Sequence, residues 1–276
     1  MIPPTSIDGT DITGATIDGT DVQEITVDGD VVFSAESLPV AYSNLVAWYP
    51  FDSAEYGGSN SDDMTALFNP AQSGDSTAYD GTVNGVTHQS SGGVTDINAG
   101  TNSGAFESFT RQTSNNITVQ NVGNAINSEV TVTAWAKGLR SDDLNNYRVF
   151  QLTDPNFFED TLMEVRGNDF GSPYRCYFFG HTLDIAGGFS DDFVHVAGTI
   201  SPNQFEFYYN GVLAGSQTTN QSITNPTDLI IMNNNNFNRS WDGKVDDVRV
   251  YDKVLTTSEI ESIVQNTQDP NNPVFP

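Results

Sequence analysis

From residue 45 onward, apolar residues come in short runs rather than at helical spacing. The runs 45–51, 104–109, 116–120, 130–137, 148–152, 176–180, 193–200, 204–209, 228–232 and 244–251 are separated by Gly, Asn, Asp and Ser turns. That pattern predicts an all-β chain folded as a β-sandwich. Within 130–137, Val130, Val132 and Ala134 alternate with Thr131, Thr133 and Trp135. A strand covered on both faces carries that sequence. Tyr209-Asn210-Gly211-Val212 is a type I′ hairpin signal, with Asn-Gly at the two positions that require positive φ.

One short helix is expected near the end. Thr256-Thr257-Ser258-Glu259 is a capping box, with Thr256 as N-cap and Glu259 reaching back from the third helical position. Leu255 and Ile260 stand where a hydrophobic staple forms. Ile260, Ile263 and Val264 give one apolar face to pack on the sandwich.

The first 33 residues carry an internal repeat. Ile7-Asp8-Gly9-Thr10-Asp11-Ile12 returns ten residues later as Ile17-Asp18-Gly19-Thr20-Asp21-Val22, and more loosely as Val27-Asp28-Gly29-Asp30-Val31. Asp-Gly between β-branched residues predicts a tight turn in each copy. Three such units bury no core alone, so they pack on the main domain, on copies of themselves or on a larger assembly. Ile7, Ile12, Ile17, Val22, Val27 and Val31 are the side chains expected to serve anchoring and oligomerisation. The alternatives are a floppy leader and a calcium repeat. The Gly-Gly-x-Gly-x-Asp nonapeptide of calcium repeats is absent. The expected organisation is a β-repeat region over 1–36, a sandwich over 42–268 and a Pro-punctuated tail over 269–276.

Composition then narrows the partners. The 276 residues hold 26 Asp, 10 Glu, 7 Arg and 3 Lys, for a formal charge of −26 and only 17% charged residues. Such a deficit of cations excludes direct nucleic-acid binding, which rests on Lys and Arg at phosphates. It equally excludes docking to anionic membranes through basic patches. Self-repulsion at this charge destabilises the compact state in dilute buffer. At molar salt the Debye length falls to about 3 Å and the repulsion is screened. A protein working in brine is the expectation, with an ordinary acidic or calcium-neutralised protein as the alternative. No run of 18 apolar residues predicts membrane insertion, and the N-terminus resembles no secretory signal. Synthesis in the cytoplasm is therefore expected. The single Cys176 lies in an apolar run and reads as a buried structural thiol.

Five segments together resemble one family. Trp241-Asp242-Gly243-Lys244-Val245-Asp246-Asp247-Val248-Arg249-Val250-Tyr251, followed by the capped helix, is similar to the closing segment of laminin G-like, concanavalin A-like jelly rolls. Leu45-Val46-Ala47-Trp48-Tyr49-Pro50-Phe51-Asp52 resembles their opening strand, and Val130-Thr131-Val132-Thr133-Ala134-Trp135-Ala136-Lys137 their central Trp strand. Phe193-Val194-His195-Val196-Ala197 and Phe205-Glu206-Phe207-Tyr208-Tyr209-Asn210-Gly211 follow in family order. The resemblance implies a jelly-roll sandwich and no catalytic motif. It also implies a structural Ca²⁺ held by Asp52, Asp246 and Asp247, to which Asn69 and Asp80 add oxygen.

Glucan-cleaving enzymes on this fold use a Glu-x-Asp-x-x-Glu strand. The nearest segment here, Glu159-Asp160-Thr161-Leu162-Met163-Glu164, has an odd spacing that places its glutamates on opposite faces of a regular strand. No catalytic residue is expected. His195 reads as a core histidine, and His88 and His181 lack partner spacing for zinc or a triad. For carbohydrate, Asn234, Asn236, Phe237 and Trp241, with Tyr147 from a second loop, combine aromatic faces with amide partners. The alternative is a solvated loop with Trp241 tucked into the core.

The decapeptide repeat also resembles opening segments of structural proteins in tailed viruses of haloarchaea, over some thirty residues. A non-enzymatic virion surface protein is therefore expected, assembled in the host cytoplasm. Residues 1–36 would form a homo-oligomer, trimeric in a tail fibre or pentameric in a capsid turret, and contact other virion proteins. The lectin-like head would project toward host S-layer glycans. A cellular haloarchaeal adhesion or carbohydrate-binding protein is the second reading, and a glycoside hydrolase the third.

Overall fold

The computed structural model describes residues 6–7, 10–11, 16–17, 20–21, 24–27, 30–34, 44–51, 60–61, 79–89, 91–96, 104–108, 115–138, 147–156, 161–169, 172–178, 181–184 and 192–268. The repeat forms three separate antiparallel hairpins. They pair β1 (Ser6–Ile7) with β2 (Thr10–Asp11), β3 (Thr16–Ile17) with β4 (Thr20–Asp21), and β5 (Glu24–Val27) with β6 (Asp30–Ser34). Ile7 pairs with Thr10, Ile17 with Thr20 and Val27 with Asp30, so the Asp-Gly of each copy separates the paired positions. Ile12 and Val22 lie outside the described residues, as do the side chains of Ile7, Ile17, Val27 and Val31.

The rest is an antiparallel jelly-roll sandwich. In chain order its strands are β7 (Leu45–Tyr49), β8 (Asn60–Ser61), β9 (Gly81–Asn84), β10 (Thr87–Gln89), β11 (Thr95–Asp96), β12 (Ala105–Ser108) and β13 (Asn116–Val119). There follow β14 (Val130–Gly138), β15 (Tyr147–Thr153), β16 (Thr161–Asp169), β17 (Ser172–Phe178) and β18 (His181–Asp184). The last are β19 (Val194–Ile200), β20 (Gln204–Tyr209), β21 (Val212–Thr218), β22 (Leu229–Ile231) and β23 (Gly243–Tyr251). Helix α1 (Thr257–Asn266) and β24 (Thr267–Gln268) end the described chain.

One sheet runs β10-β12-β23-β14-β19-β20-β21, with β7 continuing the β12 position along β23, and the other runs β18-β17-β16-β15-β22-β13-β9-β8. Between them lies the main core, in which Val130, Val132, Ala134 and Ala136 of the first sheet meet residues such as Phe150, Leu152, Met163 and Cys176 of the second. The outer face of the first sheet is also buried. Leu45, Trp48, Ala197, Tyr208 and Tyr251 pack under Leu255, Ile260 and Ile263, with Val264 against Trp135 and Phe193. Thus β14 is covered on both faces, as its alternation predicted. Thr256 caps α1 in a full capping box. At the β20–β21 hairpin, Asn210 has φ 47° and Gly211 φ 79°, the pair of positive values a type I′ turn needs.

The pattern missed several strands. β21 has only a short apolar start, Val212-Leu213-Ala214, before a Gly and a polar end, and β9 and β10 are short and half exposed, so none offers a buried apolar run. β17 starts at Ser172, earlier than expected, because Tyr174, Cys176 and Phe178 point inward between Arg175 and Tyr177.

Candidate functional site

The closing strand was expected to supply calcium ligands. Pairing between β14 and β23 shifts register between Thr133 and Trp135, and Asp247 sits at this bulge with a left-handed φ of 44°. Its carboxylate accepts the Trp48 Nε1–H at 2.6 Å and pairs with Arg249, whose Nε lies 3.0 and 3.1 Å from its two oxygens. The Arg249 guanidinium also lies over the Trp48 ring, 4.8 Å from its centroid. Asp246 accepts the Val94 amide at 2.6 Å and the Asp247 amide at 2.8 Å on its two oxygens. A buried carboxylate needs a counter-charge, and here Arg249 supplies it to Asp247. Asp80 is half-buried, and among the described residues no three His, Cys, Asp or Glu are placed together to hold a metal ion. Asp52 and Asn69 lie outside the described residues.

The Asn-rich loop departs from its expected role as a glycan-binding surface. It leaves β22 at Met232, which adopts φ 65°, and returns when the Trp241 amide donates to the Met232 carbonyl at 2.8 Å. Trp241 is 1% exposed in the main core and donates its Nε1–H to the Lys244 carbonyl. It is no stacking surface, because the return of the loop points its indole between the sheets. Asn234 is buried too, and its amide closes the loop by two hydrogen bonds with Asn238. Asn233 likewise accepts the amides of Asn234 and Arg239. Tyr147 is buried at the start of β15. Only Asn236 and Phe237 of the expected five stay accessible, Phe237 at 39% with φ 52°.

A different constellation occupies the outer face of the second sheet. Arg148 of β15 stands opposite Arg166 of β16, and Arg166 opposite Arg175 of β17, so three arginines form one cross-strand row. Glu164 is buried between the first two. Its Oε2 accepts Arg148 Nε at 2.6 Å, and its Oε1 pairs with Arg166. The Arg166 guanidinium lies 4.6 Å from the centroid of the Tyr177 ring. Arg175 pairs with Asp184 of β18. Ser240 bridges to Arg148, and the Arg239 carbonyl accepts the Arg148 amide, which brings the loop beside the row. Burial pushes the Arg148 pKa below the usual arginine value; Arg166 and Arg239 push the same way and Glu164 opposes them. Glu164-x-Arg166 and Arg175-x-Tyr177, two residues apart on one strand face, were the sequence signals for this site.

The histidines and the cysteine sit in structural surroundings. His195 is fully buried, T-shaped against Trp135 at 5.4 Å, and neither ring nitrogen has a hydrogen-bond partner among the described residues. Burial, with Arg249 adding repulsion, lowers its pKa to about 3. His88 Nε2 meets the Phe51 carbonyl, and His181 Nδ1 meets Gln217. Burial raises the Cys176 thiol pKa, as fits a structural cysteine.

Residues 111–261 match the family model described as the concanavalin A-like lectin/glucanases superfamily. No curated protein matches the chain by sequence. Among solved structures, it is similar to domain 4 of AbnA, a GH43 extracellular arabinanase from Geobacillus stearothermophilus, in complex with arabinotriose. There the TM-score is 0.55 and the identity 16%, over 80% of this chain and 98% of that one. The binding domain of Paraclostridial Mosquitocidal Protein 1 gives a TM-score of 0.53 at 18% identity, over 81% of this chain and 52% of that one. Trypanosoma rangeli sialidase gives 0.58 at 13%, over 88% of this chain and 35% of that one. The chain thus spans about half of the second structure and a third of the third. At these identities the likeness is one of fold.

Proposed function

The chain belongs to the concanavalin A-like lectin/glucanases superfamily, and from that premise we propose that it is a non-enzymatic, lectin-like surface protein of a virus particle. The observation that carries the non-enzymatic reading is Glu164. It is the one fully buried carboxylate described on the outer face of the second sheet, and arginines take both its oxygens. A carboxylate with both oxygens engaged by arginines has neither left to present to a glycosidic oxygen.

The jelly roll is the head that contacts host surface glycans. The hairpins of residues 1–36 anchor it to other virion proteins and join copies into a trimeric tail fibre or a pentameric capsid turret. Three two-stranded hairpins at a step of ten residues support this division, because a two-stranded sheet has edges that another chain can pair. The charge of −26 supports a particle kept soluble in brine, and a haloarchaeal host. Mass spectrometry of purified particles from the source tests the placement. The protein is expected among the virion components, and its absence there overturns the virion role. The second reading is a cellular carbohydrate-binding protein. It draws on the arabinanase domain, which was solved with arabinotriose and which this chain matches over 98% of that domain's length.

A further inference from the structure

We propose that the polar cavity between the end of β15 and the loop joining β21 to β22 is the saccharide site, and that the glycan it takes is neutral. The inference rests on the carbohydrate-binding reading above and names the site and the chemical class of its ligand. The cavity has a volume of about 520 Å³ and is lined by Asn156, Gln221, Ser222, Thr224 and Asn225. That volume lies within the roughly 300–1,000 Å³ of small-molecule sites. All five side chains are uncharged hydrogen-bonding groups, in a chain with 36 acidic and 10 basic residues. Sugar hydroxyls both donate and accept hydrogen bonds, as these amides and hydroxyls do. An anion meets no guanidinium or ammonium group on these walls, and an apolar ligand leaves the amides unpaired.

Asp154 holds the walls of this cavity. It is fully buried, and its carboxylate is met by donors from both edges rather than by a cation. Oδ1 accepts the backbone and side-chain amides of Asn156, both at 2.9 Å. Oδ2 accepts the Asn225 amide at 3.1 Å and the Thr224 hydroxyl at 3.4 Å. With both oxygens taken, Asp154 organises the site without presenting charge to a ligand. The base of the loop is fixed as well. The Thr227 amide donates to the Thr153 carbonyl and the Gly123 amide to the Thr227 carbonyl, each at 2.9 Å. Ile223 is buried in the main core, and a Cβ on Gly123 would meet the Pro226 carbonyl at 2.3 Å, so loop and sandwich are in close contact there. These bonds draw on the backbone of Gln221 and Asn225, while the side-chain amides of both, with the Ser222 hydroxyl, line the cavity. A site held in this way binds without first ordering its walls.

The test is calorimetric titration of the full chain at fixed high salt with three neutral trisaccharides, galactotriose, mannotriose and arabinotriose, and with trigalacturonate as the charged counterpart. At least one neutral trisaccharide is expected to bind, about tenfold or more tightly than trigalacturonate, whose carboxylates find no cation on the cavity walls. The double variant Gln221→Ala/Asn225→Ala is expected to lower that affinity about tenfold or more. Both side chains are exposed, so the melting temperature is expected to stay unchanged. Neutral binding that the double variant leaves intact overturns the cavity and keeps the carbohydrate reading. Trigalacturonate bound as tightly as the neutral sugars overturns the neutral class. If none of the four binds, a glycan array in the same salt, probed with the parent and the double variant, separates the two failures. Neutral glycans held by the parent and lost by the variant support the site. Glycans held equally by both sink the site alone, and an empty array sinks the carbohydrate reading with it.

Discussion

The indole Nε1–H of Trp48 donates to Oδ1 of Asp247 across 2.6 Å, joining the opening strand to the closing strand of the sandwich. Asp247 reaches that position only because the β23 bulge turns its backbone to a left-handed φ of 44°. Arg249 then pairs with it and stacks on Trp48, so one carboxylate holds both. Asp247→Asn keeps the shape but removes the carboxylate charge from the buried Arg249. Breaking such a pair costs roughly 3–5 kcal/mol. Chemical denaturation at fixed salt is expected to register that loss, and Arg249→Met added to Asp247→Asn is expected to recover part of it.

Trp241 and Phe237 sit four residues apart and are expected to behave in opposite ways. Trp241→Ala opens a cavity in the main core and costs roughly 3–5 kcal/mol. Phe237→Ala removes an exposed ring and is expected to stay within about 0.5 kcal/mol of the parent. Thermal melts of the two variants check both.

These two residues also mark how far the sequence was legible. The strands that form the core announced themselves, because Val130, Val132 and Ala134 have no polar alternative on their face. The capping box at Thr256 and the Asn210-Gly211 turn were equally plain, since each rests on local chemistry. Trp241 was ambiguous, because its direction depends on the Met232 carbonyl that the returning loop finds. The arginine row was hidden for a different reason. Arg148, Arg166 and Arg175 lie far apart in sequence, and only strand register brings them together. The pairing of Asp247 with Arg249, two residues away, was hidden too, because it depends on a bulge the sequence does not mark.

Protonation of His195 couples stability to pH. Its pKa falls from 6.5 to about 3 on folding, through burial first and Arg249 second. The unfolded chain therefore binds a proton between those values that the folded chain refuses. Stability is full above about 6.5 and is lost progressively as pH falls toward 3. His195→Phe is expected to flatten this part of the curve relative to the parent, measured as melting temperature against pH at constant salt.

Removal of residues 1–36 separates anchor from head. The truncated protein is expected to be monomeric by sedimentation in high salt, to stay off particles, and to keep the saccharide affinity of the full chain. A truncated protein that remains oligomeric and joins particles contradicts the anchoring role.

The most direct measurement of a non-enzymatic glycan-binding head is a glycan array in concentrated salt, followed by mass spectrometry of any retained glycan after prolonged incubation with the protein. Saturable binding to a defined glycan class, with the glycan recovered intact, is the predicted result. An array without binding, or recovery of cleaved glycan, contradicts it.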